Sequence, residues 1–182
     1  MERFGKRIKM QDNEIFWTKF KTPLGLIVGM GTNIKLQSLK FAKNTIFEKS
    51  ISNYKKNKVF IFDKTKEWLD IYFSGKIPDF IPELDLLGTD FQMEVWNLLL
   101  QIPYAQTTTY GEIAKQIAIK RGISKMSAQA VGNAVGANPI VIIVPCHRVT
   151  GANGYLGGFS CGIDKKIKLL QIEKVGLNQF KI

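Results

Sequence analysis

The sequence contains little cysteine and histidine. Its 182 residues include two cysteines, Cys146 and Cys161, and a single histidine, His147. Two cysteines cannot build the disulfide framework of a small secreted protein, and so few are typical of a reducing cytosol. One histidine and two cysteines also cannot form an ordinary closed zinc site without carboxylates, so we expect no bound metal.

Long hydrophobic runs are also absent. Hydrophobic residues make up 45% of the chain, but no apolar stretch reaches the roughly 20 residues that a membrane-spanning helix needs. Met1 to Met10 is basic and has no apolar core, so it does not have the pattern of a secretory signal. We therefore expect no membrane partner and a cytoplasmic location.

Acidic residues are scarce in the second half of the chain. The formal net charge is +11, and residues 91–182 carry ten Lys and Arg against four Asp and Glu. A surface with few acids can lie against a polyanion with little repulsion. Charge alone, however, leaves membranes and acidic proteins as alternatives to nucleic acid.

The first 86 residues alternate strand-like segments with charged turns. Three segments have a strand-like composition: Glu14 to Phe20, Leu24 to Gly31, and Ile34 to Phe41. A helix is predicted from an N-cap at Asp63 through Ser74, with Gly75 ending it. The loop that carries Pro78 and Pro82 is the candidate linker to the second half.

The second half is predicted to be mainly helical. Three helices are predicted to begin at residues that are good N-caps. The predicted N-caps are Thr89 or Asp90, Thr109 with Glu112 in a capping box, and Ser127. The helix after Ser127, Ala128 to Ala137, consists of small residues and contains Gly132 and Gly136. Two interior glycines on a helix of small residues indicate that another backbone, of protein or nucleic acid, approaches it closely. Two short helices joined by a turn also fit a helix-turn-helix. Ordinary tight helix packing explains the same glycines.

The C-terminal part follows a break at Pro139. The continuous apolar run from Ile140 to Val144 predicts a buried strand. A glycine-rich loop follows, and a last helix is then predicted with Asp164 as its N-cap and Gly176 as its stop. The residues predicted to face inward from this helix are Ile167, Leu170 and Val175.

The adjacent pair Cys146 and His147 is the strongest chemical signal. Cysteine attacks as the thiolate, so a reactive cysteine needs a base or a positive environment. In a continuous strand the two side chains would point to opposite faces, so either the chain turns here or a water molecule relays the proton. His147 would need an orienting acceptor, and Glu173 on the last helix is the best placed. A buried structural cysteine beside a hydrogen-bonded histidine is the alternative.

Several motifs resemble the O6-alkylguanine-DNA alkyltransferase family. They cover about residues 88–176, and the Pro-Cys-His-Arg-Val run is highly specific for this family. The matching segments are Asn138-Pro139, Ile143 to Val149, Gly154 and Gly162 with Lys166, Leu169-Leu170 and Glu173, Phe91 to Trp96, and Tyr110 to Ala114.

The resemblance implies roles by position. Cys146 would be the alkyl acceptor, His147 would deprotonate it through a water molecule, and Glu173 would orient His147. Tyr110 would face the flipped guanine and supply a proton or hydrogen bond as the base leaves. Asn138 would brace the turn between the helix-turn-helix and the active site. No cofactor is implied.

The resemblance also implies a DNA interface. Backbone groups of Val149 and Ser160 would bind the base edge, with Phe159 stacking beside the pocket. The recognition helix Ala128–Ala137 would lie in the minor groove of double-stranded DNA that contains O6-alkylguanine. The expected DNA-contacting residues are Ser127, Ala128, Gln129, Gly132, Asn133 and Arg148.

The implied architecture is an α+β protein that acts as a monomer. Residues 1–86 would form a ribonuclease-H-like α/β scaffold domain. Residues 87–182 would form a mainly helical, winged helix-turn-helix-like domain that binds DNA and accepts the alkyl group.

The sequence departs from the family pattern at three positions. Gln129 replaces the usual arginine that fills the space of the flipped base, which predicts weaker DNA binding or slower flipping. Phe159 replaces a tyrosine, and Cys161 replaces a glycine. The main alternative is therefore a damage-binding protein without repair activity. A cysteine hydrolase, and a DNA-binding regulator or redox sensor using Cys146 and Cys161, are further alternatives.

Overall fold

A four-stranded sheet forms the first half of the chain. The computed structural model describes residues 14–42 and 54–181, and Met1 to Met10 lies outside the described residues. The strands are β1 (Phe16–Thr22), β2 (Gly25–Gly31), β3 (Leu36–Phe41) and β4 (Lys55–Lys56), in the order β3-β2-β1-β4. β1, β2 and β3 pair antiparallel, whereas β4 pairs parallel to β1. The three predicted strands are confirmed with ends shifted by one or two residues.

Helix α1 (Phe60–Phe73) packs against the sheet and begins earlier than the sequence predicts. Asp63 lies in its first turn and is not its N-cap, so that prediction is wrong. The backbone N–H of Ile61 instead donates to the carbonyl of Asn33 at 3.0 Å, so another segment satisfies the helix start. Gly75 does end the helix, because it adopts the left-handed conformation with φ +78°.

The second half supplies four more helices and a two-stranded ribbon. In chain order these are α2 (Asp90–Leu100), β5 (Thr108–Thr109), α3 (Tyr110–Arg121), α4 (Ala128–Gly136), β6 (Val149–Thr150) and α5 (Ile163–Ile172). The three helix starts are confirmed, with Thr89 and not Asp90 as the first N-cap: the side chains of Thr89, Thr109 and Ser127 accept the N–H of the third residue that follows each. Among the described hydrogen bonds, however, the capping box forms between Thr89 and Gln92, whereas the one predicted for Thr109 and Glu112 lacks its return bond. Local capping chemistry therefore sets the starts of α2, α3 and α4.

The predicted strand from Ile140 to Val144 is wrong in form, although every residue in it is buried. The chain turns tightly at Ile142, which adopts φ +73°, and the N–H of Ile143 donates to the carbonyl of Val141 at 3.0 Å. An apolar run reports burial but not whether the backbone is extended. Here the run is enclosed by both halves of the protein and folds back on itself.

The limits predicted for α5 are also wrong. Gly162 precedes the helix with φ +99°, and Asp164 lies in the first turn, where it favours the helix dipole without capping. At the other end Lys174, not Gly176, takes the left-handed position, with φ +60°. Val175 is buried as predicted.

The two halves are joined through backbone hydrogen bonds and a shared core. Leu39 of β3 donates to the carbonyl of Pro139 and accepts from the N–H of Val141, each at 2.9 Å. One hydrophobic cluster runs from Phe16 in β1 to Leu169 in α5. The segment that precedes Cys146 is therefore fixed against the N-terminal sheet. Across the described ranges, none of the helices is long and apolar enough to cross a membrane.

Candidate active site

The backbone turns sharply at Pro145 and presents Cys146 to a cavity. Pro145 has φ −84° and ψ 61°, and the N–H of Cys146 donates to the carbonyl of Val144 at 2.8 Å, which defines an inverse γ-turn. A 3₁₀ turn over Cys146–Arg148 follows. The chain therefore turns at this point and does not continue as a strand through Cys146 and His147. Only 4% of Cys146 is exposed.

Asn138 braces this turn from within the protein. Its side-chain Nδ2 donates to the carbonyl of Val144 at 2.8 Å and to Cys146 Sγ at 3.0 Å. Its Oδ1 accepts from the N–H of Ile140 at 2.9 Å. The side chain therefore uses both ends of its amide to hold the turn and places a donor on the sulfur, which favours the thiolate.

A buried polar cluster lies behind Cys146, and Glu173 is at its centre. Glu173 Oε1 accepts from His147 Nε2 at 2.7 Å, Arg148 Nη2 at 3.0 Å and the Tyr72 hydroxyl at 2.8 Å. Oε2 accepts from Arg148 Nε at 2.9 Å and the N–H of Ala105 at 3.1 Å. The carboxylate is fully buried, and five donors satisfy it.

The cluster shifts the acidities of its members in different directions. Burial by itself raises the pKa of Glu173, but hydrogen bonds from His147 and Arg148 outweigh it and lower the pKa to about 2. Burial lowers the pKa of His147, against the opposing effect of Glu173. Burial raises the pKa of Cys146 to about 11, although the bond from Asn138 opposes this. At neutral pH the resting state is a thiol beside a neutral imidazole.

The orientation of the imidazole follows from these contacts. Glu173 is ionised and can only accept, so the Nε2 of His147 carries the proton. The Nδ1 atom then has the free lone pair. Within the described part of the chain, this Nδ1 is the buried side-chain nitrogen that has no hydrogen-bond partner. The arrangement offers a base next to Cys146 along the chain.

A cavity of about 270 Å³ opens at Cys146. Its lining residues come from α3, α4 and the glycine-rich loop: Tyr110, Gly132, Val135, Gly136, Cys146, Gly158, Phe159 and Ser160. Tyr110 is half-buried, and burial together with the charge of Cys146 raises its pKa, so it stays a donor at neutral pH. Gly157, with φ +74°, packs so closely on this ring that a Cβ there would lie 3.4 Å from Tyr110 Cε2.

A second thiol lies beside this cavity. Cys161 is half-buried and lines a neighbouring cavity of about 260 Å³ that also contacts Gly136, Asn138 and Ser160. Its Sγ lies 3.8 Å from Ser160 Oγ. Cys161 therefore borders the region around Cys146.

Helix α4 turns one face to the surface next to the cavity. Exposed residues on it are Ala128, Gln129, Asn133 and Gly136, whereas Gly132 is half-buried and Val131, Ala134 and Val135 are buried. Ser127 is exposed and caps the helix through its hydroxyl. The structure thus brings five of the six expected DNA-contacting residues to one helix and its cap.

Two expected site residues are placed differently. Arg148 is 9% exposed, and its guanidinium binds Glu173 and the carbonyl of Ile102, which does not fit the expected DNA-contacting role. Val149 is buried and lies outside the cavity lining. Its N–H donates to the carbonyl of Cys146, and its carbonyl accepts from Lys166. Both residues support the site from behind.

Two buried residues at the site were given no role from the sequence. Lys166 donates to the carbonyls of Val149 and Leu156, each at 2.6 Å, and burial lowers its pKa to about 8. Its helical spacing with Leu169 and Glu173 was an available signal that it faces inward. Tyr72 lies within the helix predicted over residues 63–74 and received no role of its own, yet a buried tyrosine hydroxyl needs a partner.

Metal ligands do not cluster at this site or elsewhere in residues 14–42 and 54–181. No group of three His, Cys, Asp or Glu side chains there is placed to hold a metal ion.

Residues 90–175 match the family model described as the DNA-binding domain of 6-O-methylguanine DNA methyltransferase. A methylated-DNA–protein-cysteine methyltransferase of Mycobacterium tuberculosis is 42% identical over 160 residues, covering 88% of this chain and 93% of its own. The counterpart of Methanosarcina acetivorans is 40% identical, covering 87% of this chain and 98% of its own.

Solved structures agree with these sequence matches. The crystal structure of the Mycobacterium tuberculosis O6-methylguanine methyltransferase has a TM-score of 0.77 at 42% identity, covering 88% of this chain and 93% of its own. The structure of Mycobacterium tuberculosis OGT in complex with DNA has a TM-score of 0.76 at 39% identity, covering 91% and 94%. The chain is an α+β protein that belongs to the methylated-DNA–protein-cysteine methyltransferase family.

Proposed function

We propose that this protein repairs DNA by moving a methyl or other alkyl group from O6-alkylguanine in duplex DNA onto Cys146. The observation that carries the proposal is a nearly buried cysteine in a cavity, adjacent in sequence to a buried His147–Glu173 pair. The names of the 40–42% identical relatives support the same reaction.

The proposed chemistry is one displacement at the alkyl carbon. His147 Nδ1 takes the Cys146 proton through a water molecule, and Glu173 holds the resulting imidazolium. The thiolate attacks the alkyl carbon, a C–S bond forms, and the C–O6 bond breaks with its electron pair passing to the guanine. Tyr110 donates a hydrogen bond or proton to the departing base. The thioether is stable, so each molecule acts once and needs no cofactor.

The target base has to leave the helix for this reaction, because O6 cannot be reached for in-line attack inside the base stack. The cavity at Cys146 would receive the base, with Phe159 stacking on it and Ser160 meeting its edge. Asn138 would keep the sulfur in place beneath it. Helix α4 would enter the minor groove through Gln129 and Asn133, and the DNA complex of the Mycobacterium tuberculosis relative supports DNA as the partner.

The finer architecture fits this proposal. Three antiparallel strands, a fourth parallel strand and α1 suit a ribonuclease-H-like scaffold over residues 1–86. α3, α4 and the β5–β6 ribbon suit a winged helix-turn-helix over residues 87–182. We further propose that the protein acts as a monomer.

Intact-protein mass after incubation with a short duplex that carries one O6-methylguanine tests the proposal. Wild type should gain the mass of one methylene group per molecule, and Cys146→Ser should gain none. Cys161→Ser is the matched control and should react as wild type does. Absence of any gain in wild type, while it still binds the lesion duplex more tightly than plain duplex, would overturn the repair function and leave a damage-binding protein.

Gln129→Arg is expected to strengthen DNA binding. The side chain is exposed on α4, and an added cation there attracts the polyanion. We expect the Kd for a lesion duplex to fall about threefold to tenfold, and binding to become more salt-dependent by roughly one further counterion. Fluorescence anisotropy at several salt concentrations measures both. Gln129→Met is the neutral control, and an equal gain in affinity for it would contradict the electrostatic explanation.

A further inference from the structure

Tyr72 reaches the polar cluster from the opposite half of the chain. It lies in α1, and its side chain is fully buried. The ring stacks on Trp68 with a centroid distance of 5.2 Å and contacts Tyr104 edge-on at 6.2 Å. These contacts fix the direction of the ring, so the position of the hydroxyl is set by the hydrophobic core.

The hydroxyl of Tyr72 lies beside both atoms of the hydrogen bond that orients His147. It donates to Glu173 Oε1 at 2.8 Å and lies 3.4 Å from His147 Nε2. Oε1 is the oxygen that also accepts from Nε2 at 2.7 Å. Tyr72 therefore shares one acceptor with the imidazole, and its donation withdraws negative charge from the oxygen that orients His147.

We propose that Tyr72 is a positioning residue for the alkyl transfer: its hydroxyl holds Glu173 Oε1 against His147 Nε2 and limits the basicity of the imidazole. The inference rests on the proposed transfer to Cys146. Its role is distinct from that of Arg148, which holds both oxygens of Glu173 and does not contact His147 in the described hydrogen bonds.

The other charged and titratable groups around the cluster act on His147 in different ways from Tyr72. Arg148 and Lys166 are cations that lower the pKa of His147, in addition to burial, whereas Glu173 raises it. Tyr104 faces Tyr72 and donates its hydroxyl to the carbonyl of Ile172 at 3.1 Å, away from Glu173. Burial and the charge of Glu173 raise the pKa of Tyr72 far above its usual value, so it stays a donor at any pH where the protein functions.

The variant Tyr72→Phe removes the hydroxyl and keeps the aromatic ring, so it tests the hydroxyl alone. Phenylalanine keeps the stacking on Trp68 but leaves Oε1 with one donor fewer, so Oε1 binds the imidazolium more strongly. We expect the pKa of His147 to rise by about 0.5 to 1 pH unit. The acidic limb of the single-turnover rate should move to higher pH by the same amount, and the rate at neutral pH should fall by at most about threefold, because much of the imidazole is still neutral there.

The measurements use the full chain. His147 is the only histidine in the sequence, so its imidazole NMR signals need no assignment. The pKa of His147 is followed by NMR, and methyl transfer is followed by mass in rapid-quench samples across pH. Tyr104→Phe is the matched control: it loses a tyrosine hydroxyl next to the cluster that does not contact Glu173, and it should match wild type in both measurements.

The outcomes separate this inference from the function on which it rests. An unchanged pKa of His147 and an unchanged pH profile in Tyr72→Phe, with normal methyl uptake by wild type, overturn the role of Tyr72 alone. No methyl uptake by wild type overturns the proposed transfer and this inference with it. Should Tyr72→Phe fail to fold, the wild-type NMR spectrum still decides: a proton on Nδ1 instead of Nε2 overturns the inference.

Discussion

Glu173→Gln is expected to lower the free energy of unfolding by about 3–5 kcal/mol. The carboxylate is fully buried and accepts five hydrogen bonds, two of them from the guanidinium of Arg148. Glutamine has nearly the same shape, but its NH₂ group would face donors where Glu173 offers acceptors. Arg148 would then remain charged and buried without a counter-ion, and this uncompensated charge is the main reason why breaking a buried ion pair is destabilising.

Urea unfolding followed by circular dichroism measures this loss. Glu112→Gln is the control, because Glu112 is exposed in the first turn of α3, and it should change stability by about 0.5 kcal/mol or less. The pKa of Glu173 is lowered to about 2 from its ordinary value of 4.5, so wild type keeps this stabilisation above pH 4.5 and loses it as the pH falls towards 2. A difference between wild type and variant that does not shrink over this range would contradict the assignment.

His147→Gln is expected to slow methyl transfer about 100-fold to 10,000-fold at neutral pH. Burial raises the pKa of the Cys146 thiol to about 11, so without a base almost no thiolate is present at pH 7. Burial lowers the pKa of His147, so in wild type the imidazole is already neutral and able to accept the proton. The rate of wild type should therefore level off with pH, while that of the variant should rise about tenfold per pH unit.

Single-turnover rates between pH 6 and pH 9 distinguish these two profiles. Affinity for the lesion duplex, measured by anisotropy, should stay within about twofold of wild type, because His147 is fully buried and makes no surface contact. Cys161→Ser serves as the control and should follow the wild-type profile. Parallel pH profiles for wild type and His147→Gln would show that the imidazole is not the base.

Local sequence rules predicted the helix starts correctly where a side chain next to the helix accepts its first backbone N–H groups. Thr89, Thr109 and Ser127 cap their helices with their own side chains; the last two were identified outright, and Thr89 was one of two candidates. The prediction at Asp63 failed because Asn33, distant in sequence, accepts the first N–H groups of α1. The strand predicted after Pro139 was wrong because residues buried on all sides are apolar whether their backbone is extended or turned.

The site shows the same division. Cys146 and His147 are neighbours in the sequence, and the sequence singled them out by their rarity and the motif around them. Tyr72 was missed because its partner Glu173 lies at the C-terminal end of α5, distant in sequence, and only the folded core brings its hydroxyl to the carboxylate. The resemblance implied a DNA contact for Arg148, whereas its guanidinium is turned inward and binds Glu173.

The contact between Tyr72 and Glu173 joins residues that lie 101 positions apart in the chain. During synthesis, Tyr72 leaves the ribosome before α5 is made, and for that time its hydroxyl lacks the carboxylate of Glu173. Closing so long a loop is an entropically unfavourable and late step in folding. His147 therefore gains the carboxylate that orients it only when the last helix docks, so a truncated or half-folded chain carries Cys146 beside an imidazole that is not yet held in place.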